Sequence, residues 1–489
     1  MSGQIALTIK ENVKILEQRV GLHQSFDVLF REMEFGGHKT GLLYLNGFAK
    51  DEVLTEVIQR LTYLRRGELE PDALKSLIGH FIPHIQVEEV SSMDEAINKV
   101  LAGGSALFVE NQTCAIIIDA KKFPVRGLEE PSTEKVVRGA KDGFIETMLV
   151  NVSLVRRRIR DPRFKTEMMK VGRRTMTDVC LGYIDDIADL QLVESVRKKL
   201  ADIQIDGIPL ADKQLEEALI RKGWNPYPLV RYSERPDVVA AHLLEGHVIL
   251  FVDTSPSVII LPSTFFHHTQ HAEEYRQTPF VGTYMRWVRF FGIFASLFLL
   301  PLWFLFVIQP DLTPPAFDFI GPDKKSNLPI ILQFLLSEIG IDLLRMAAVH
   351  TPTPLATAAG LIAAILIGDI AVQTGLFVNE VLLYTAVAAV GMFATPSYEL
   401  GLANRIVRLA LLLSVALFKV PGLVVGATLF ILLLTVQRSY NTPYMWPFIP
   451  FNAKAFLSLL IRLPVLSVTR RPSINKTQDS TKQPPKNTN

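Results

Sequence analysis

One stretch of this 489-residue chain constrains its fold more than any other: Phe290 to Gln309, twenty residues without a single charge. A helix rises about 1.5 Å per residue, so twenty residues cover roughly 30 Å, the thickness of a bilayer's hydrocarbon core. Further apolar runs follow at 355–378, 381–397, 403–418 and 422–437, with a less apolar one at 328–349. A soluble domain has no use for such a succession. Charge is distributed to match: of 100 Lys, Arg, Asp and Glu residues, only 14 fall between Phe290 and Gln437. The pattern predicts an α/β cytoplasmic region followed by an all-α polytopic transmembrane domain of five or six helices.

The chain resembles itself. Asp94 to Ile118 reads DEAINKVLAGGSALFVENQTCAIII and Asp237 to Leu261 reads DVVAAHLLEGHVILFVDTSPSVIIL, at a constant offset of 143. Helix, glycine break (Gly103, Gly246), Leu-Phe-Val strand, acidic residue, turn and second apolar strand coincide. Tyr44-Leu45 and Phe48 likewise match Tyr183-Ile184 and Ile187. Two copies of one small α/β unit are expected, the alternative being a chance likeness of two helix–hairpin units. The expected boundaries are an N-terminal helix at 1–37, a first α/β subdomain at 38–130, a linking helix at 131–164 and a second subdomain at 165–285. The transmembrane domain then occupies 286–455 and a polar cytoplasmic tail 456–489, disordered beyond Arg471. Glu110 and Asp253, at the two hairpin turns, are either turn formers or ligand-facing acids.

The composition excludes several classes of function. A net charge of +2 leaves no footprint for nucleic acid. Cys114 and Cys180 are too few for a disulfide framework or a cysteine-based zinc site. Met1 to Val20 is polar and helix-like, unlike a cleavable signal, so the soluble part is expected in the cytoplasm. No phosphate-binding loop, GxGxxG, GxSxG, HExxH or CxxC occurs, and neither an enzyme nor a cofactor is expected. His267 and His271 stand four apart and would suit zinc only if helical. Without a third ligand in view they read as a solvated approach to the membrane, and no metal is expected. The run Arg156-Arg157-Arg158-Ile159-Arg160 is either a lipid- or partner-binding patch or the solvated face of a helix.

Loop charges order the spans. Arg276, Arg286 and Arg289 precede the first span, and Arg286 and Arg289 are read as membrane anchors on the cytoplasmic side. Arg405, Arg408 and the tail prefer the same side, which requires 328–349 to cross as a sixth span. On that segment Glu338, Asp342 and Arg345 share one face. Two readings stand: an ion pathway lined by this face around an oligomer axis, or an amphipathic helix lying flat on the membrane. The next span carries Gly360, Ala364 and Gly368 at the spacing of a close helix-packing face. Asp369 and Gln373 follow, to line the same pathway or hydrogen-bond a neighbouring helix. Lys419-Val420-Pro421-Gly422 reads as a tight turn.

Several stretches together resemble the A subunits of bacterial spore germination receptors, the GerA type. They are Val136-Val137-Arg138-Gly139, Asp142-Gly143-Phe144, Asn151, Arg156 to Arg160, Glu245-Gly246, Asp253-Thr254-Ser255-Pro256, Pro262, Glu338 to Pro352, and Pro443-Tyr444 with Pro447 and Pro450. Thr254 stands where the family usually has Gly, and His350-Thr351-Pro352 where Arg-Leu-Pro is common. These departures, with the lack of a long polar N-terminal extension, point to the stage V sporulation protein AF branch. The resemblance implies a multi-pass protein of the spore inner membrane that forms a homo-oligomer, a pentamer, conducting ions during germination. It also implies partners: membrane lipids and other germination membrane proteins. The alternative is a non-conducting scaffold that assembles receptor subunits; a secondary transporter is weaker, since no inverted repeat is visible.

Overall fold

The computed structural model describes residues 3–122, 131, 134–220, 223–313, 321–322, 326–350, 370–440 and 442–483. The chain divides into two units. One comprises Met1–Arg221, Val230–Pro262 and Pro464–Asn489; the other comprises Lys222–Leu229 and Ser263–Leu463.

The first unit begins with helix α1 (Ile9–Val20). Thr8 accepts a hydrogen bond from the Glu11 amide at its start, and Gly21 ends it in the left-handed conformation. Strands β1 (Val28–Phe35) and β2 (His38–Leu45) pair across Gly36-Gly37, both at positive φ. This corrects the expectation of an N-terminal helix to residue 37. The glycine pair is a two-residue hairpin turn, and it draws 28–35 into the sheet. Helix α2 (Asp51–Leu61), β3 (Val87–Val90), helix α3 (Met93–Leu101), β4 (Ser105–Val109) and β5 (Ala115–Ile118) complete a five-stranded antiparallel sheet in the order β1-β2-β4-β5-β3. Both faces are covered. Along β4, Ala106 and Phe108 pack with α1 and α3, and Leu107 and Val109 with the α2 side.

The second half repeats this plan. Helix α4 (Met148–Arg156) precedes β6 (Phe164–Val171) and β7 (Thr177–Ile184). Helices α5 (Leu190–Ala201) and α6 (Ala211–Leu219), β8 (Arg231–Ser233), helix α7 (Pro236–Leu244), β9 (Val248–Val252) and β10 (Val258–Leu261) follow. The sheet order is β6-β7-β9-β10-β8, that of the first sheet. Leu107 faces Ile116 and Leu250 faces Ile259, so the register keeps the offset of 143. The repeat extends to side chains outside the matched segments. Asn12 bonds both backbone groups of Ala6 at 2.8 Å, and Asn151 bonds both of Ile145 at 2.5 and 2.8 Å. Glu110 accepts from the Ile9 amide and Asp253 from the Met148 amide, each at the start of the leading helix. These two acids serve helix starts inside the fold.

The linking helix is shorter than expected: only Met148–Arg156 is helical within 134–164. Gly139, at positive φ, and Asp142-Gly143 interrupt the upstream part. Arg156 is neither a lipid-facing nor a solvated residue. It is 1% exposed and holds the Asp27 carboxylate at 2.9 and 3.0 Å. The tail also differs from the disordered segment expected of it. Ile474 and Asn475 are buried, and the segment makes specific bonds within the first unit.

Among the described residues of the second unit, two helical runs are long and apolar enough to cross a membrane: α8 (Pro279–Ile308) and α11 (Tyr398–Val436). Between them lie α9 (Ile330–His350) and the shorter α10 (Asn379–Phe393). The α11 run reverses within itself. Lys419 has φ 54 and ψ −130, and the Ser414 hydroxyl donates to the Gly422 carbonyl at 2.9 Å, a contact that a straight helix would separate by two turns. Helix α12 (Ala453–Leu460) follows. Most of the run expected at 355–378, with Gly360, Ala364, Gly368 and Asp369, lies outside the described residues.

Candidate functional site: paired charges among the apolar helices

Helix α9 carries Glu338 and Asp342 four residues apart, hence on one face, and α11 carries Arg405 and Arg408 three apart on another. The fold brings the two faces together. Arg405 Nε lies 2.9 Å from one Glu338 carboxylate oxygen, and Arg408 Nη2 lies 2.6 Å from the other. Arg405 also pairs with Asp342 and donates to the Glu338 carbonyl; Arg408 donates to the Ser296 carbonyl of α8. Glu338, Arg405 and Arg408 are 1%, 3% and 1% exposed. Arg345 stands at the rim, 3.7 Å from Asp342, with its guanidinium over the Tyr398 ring. The five side chains carry three positive and two negative charges.

Isolated, either kind of ion would be driven from such a site by the cost of desolvation, so the charges persist because they are mutually satisfied. A buried carboxylate between two guanidinium groups can do two things. It can staple three helices together, or it can release its partners when protonated or displaced. Sequence reasoning found Glu338, Asp342 and Arg345 but assigned Arg405 and Arg408 to a cytoplasmic loop. They lie instead on α11, buried against α9. Their spacing opposite two acids four apart was the available signal. Gln373 lies apart from this cluster, exposed on the short helix Ile370–Gln373.

A second paired cluster stands at the start of α8. Arg286 and Arg289 both hold the fully buried Glu274, Arg286 at 2.6 Å. Arg286 also donates to the Ser458 and Leu459 carbonyls at 2.8 Å, and Trp287 Nε1 donates to Leu460 at 2.9 Å. Read from the sequence as membrane anchors, these two arginines are 3% and 8% exposed and serve as internal clamps. The histidine cluster is likewise structural. His267 and His271 do not share a helix: 265–269 is a 3₁₀ turn, and His271 caps the helix Ala272–Arg276 through the Glu273 amide.

In the first unit, His242, Glu245 and His247 place one donor atom each within 4.8 Å of one another. Protein groups already face these donors: Arg231 on His242 at 3.2 Å, Lys482 on Glu245 at 2.8 Å, and Asn475 on His247 at 3.1 Å. Two of those groups are cations, which disfavours a metal ion there. Burial pushes the His247 imidazole down to about 4.

A repeated α/β unit is followed by apolar helices with internal charge pairs, and among the described residues two helical runs are long and apolar enough to cross a membrane. The family model described as Bacillus/Clostridium GerA spore germination protein matches residues 14–474, and the chain belongs to that family. It is 51% identical to stage V sporulation protein AF of Bacillus subtilis (strain 168), over 97% of this chain and 96% of that one. It is 27% identical to spore germination protein KA of the same organism, over 98% and 89%. A solved structure, the N-terminal domain of the A subunit of the Bacillus megaterium spore germinant receptor GerK3, is 26% identical over 54% of this chain and 98% of its own, with a TM-score of 0.43. The family's proteins act in spore germination and are membrane-associated in spores.

Proposed function

We propose that this chain is an ion-channel subunit of the spore inner membrane that assembles as a homo-oligomer, a pentamer, and releases cations during germination. The pathway draws on Glu338, Asp342 and Arg345 of helix α9 and on Asp369 and Gln373, and the α/β region faces the cytoplasm as a sensing or assembly platform alongside other germination proteins. The observation that carries this reading is the double arginine clamp on Glu338. Held between Arg405 and Arg408, the carboxylate is charge-paired, which supports reading this as the closed state of the pathway. Opening separates α9 from α11 and frees Glu338 and Asp342 to face permeating cations.

The same clamp supports a second reading. A carboxylate ion-paired with two guanidinium groups also suits a non-conducting scaffold that assembles receptor subunits, in which the pairs only fix helix positions.

Recordings from planar bilayers containing the purified protein separate the two. Discrete cation currents whose selectivity changes in Glu338→Gln are expected of the channel. Currents indifferent to that change move the lining away from α9. Silence from wild type and variant alike, with folding intact, favours the scaffold.

A further inference from the structure

The second α/β unit has a corner rich in hydrogen-bond acceptors. Four successive carbonyls, Asp185 to Ala188, leave the end of β7, and the carbonyls of Leu244 and Glu245 leave the end of α7. Helix C-termini carry unpaired carbonyls and a negative partial charge, so such a corner calls for donors or cations. Residues 471–483 supply them. Gln478 donates its side-chain amide to the Asp185 and Ala188 carbonyls at 2.7 Å each, and its backbone N–H to Ile187 at 3.1 Å. The Asp479 amide donates to Asp186 at 3.2 Å. Arg471 Nε donates to Leu244 at 2.8 Å, and Asn475 Nδ2 to Glu245 at 2.7 Å. Lys482 Nζ pairs with the Glu245 carboxylate at 2.8 Å.

The segment is preformed for this role. It closes as a small hairpin through Arg471 N–H to the Ser480 carbonyl, and Arg471 holds Asp479 at 2.7 Å. Gly246, at φ +91, admits it: a Cβ there would collide with Thr477. Yet apolar burial is slight. Ile474 is the large apolar side chain buried in the segment, and most of the contacts are hydrogen bonds that water can replace. A segment held this way opens locally without unfolding the sheet behind it.

We propose that the corner formed by 185–188 and 244–247 is a peptide-docking surface for a basic, amide-bearing segment, occupied in this chain by its own residues 471–483 as a detachable strap. The recognition is chemical and specific: side-chain amides for paired carbonyls, one guanidinium for a helix end, one ammonium for Glu245.

The test uses the full-length protein in detergent and a fluorescently labelled peptide with the sequence of residues 469–483. In the variant Asn475→Ala/Gln478→Ala the strap is released. Fluorescence anisotropy should then show saturable one-to-one binding of the peptide, at least ten-fold tighter than to the wild type, whose corner is occupied. A peptide carrying the same two substitutions should bind at least ten-fold more weakly. Equal affinity for variant and wild type, or no binding to either, overturns the proposal. Hydrogen exchange in β9 and β10 reports whether the variant sheet is intact; if it is not, Gln478→Ala alone, whose side chain is exposed, replaces it under the same criteria.

Discussion

Asp27 and Arg156 sit 129 positions apart in sequence and form a buried two-point pair, with the Thr166 hydroxyl donating to the same carboxylate at 2.5 Å. Asp27→Ala leaves a guanidinium buried without its counter-ion. Such a loss costs about 3–5 kcal/mol, and a large fall in the thermal midpoint of the first unit is expected. Replacing both partners by apolar residues of similar volume should recover most of it. His247 gives the pH counterpart. Its folded-state value, about 4, lies below the ordinary 6.5, so the unfolded chain takes up a proton first as pH falls. Stability from this residue is therefore present above pH 6.5 and declines between 6.5 and 4, by up to about 3 kcal/mol for a shift of that size. Thermal melts across this range should show a slope that His247→Leu flattens. In the second unit Glu338→Gln should destabilise for the same reason as Asp27→Ala, read as a lowered midpoint in detergent. These partnerships were half legible. Glu338 and the Arg-rich run stood out in the sequence, Asp27 did not, and which acid met which arginine depended on residues far away in the chain.

Among elements, the glycines set how closely the apolar helices approach. A Cβ on Gly391 of α10 would strike the Gly292 carbonyl of α8, and one on Gly422 would strike the Ser414 carbonyl across the turn. A Cβ on Gly340 of α9 meets nothing within 4 Å. Gly391→Ala and Gly422→Ala should therefore each cost about 1–3 kcal/mol by overpacking, while Gly340→Ala should be neutral or slightly stabilising. Midpoints of helix loss, measured by circular dichroism in one detergent, decide this. The pattern Gly360-Ala364-Gly368 drew attention because it repeats along one helix. Gly292 and Gly391 lie on different helices, and no spacing in the sequence links them. The turn at Lys419 was visible, because Pro421 and Gly422 interrupt an apolar run in a way a continuing helix does not tolerate well. The N-terminal element was misread as helix for the converse reason. Val28–Phe35 has modest hydrophobicity, and only its partner across Gly36-Gly37 makes it a strand.

For the whole molecule, the two units draw stability from different sources. The first has packed cores on its sheets, with Leu16, Phe108, Phe251 and Ile260 buried. The second leaves large apolar side chains exposed, Phe291, Leu417 and Val436 among them, more apolar surface than water alone favours. Calorimetry should resolve two transitions. The one tied to β-sheet content should be insensitive to detergent chain length, and the helical one should shift with it. A single transition that moves as a whole would contradict this division.

Legible in the sequence were the division into an α/β repeat and apolar helices, the hairpins β4–β5 and β9–β10, and the membership of the GerA family. Periodicity, glycine placement and self-similarity are local signals, and each constrains the backbone within a few residues. Tertiary structure alone decided what the polar side chains do. It turned supposed anchors, Arg286 and Arg289, into clamps on Glu274 and loop residues Arg405 and Arg408 into partners of Glu338. It also turned a polar tail into a strap. The physical reason is common to all three: a buried charge or carbonyl must be satisfied, and its partner is fixed by how helices and sheets pack, not by sequence distance.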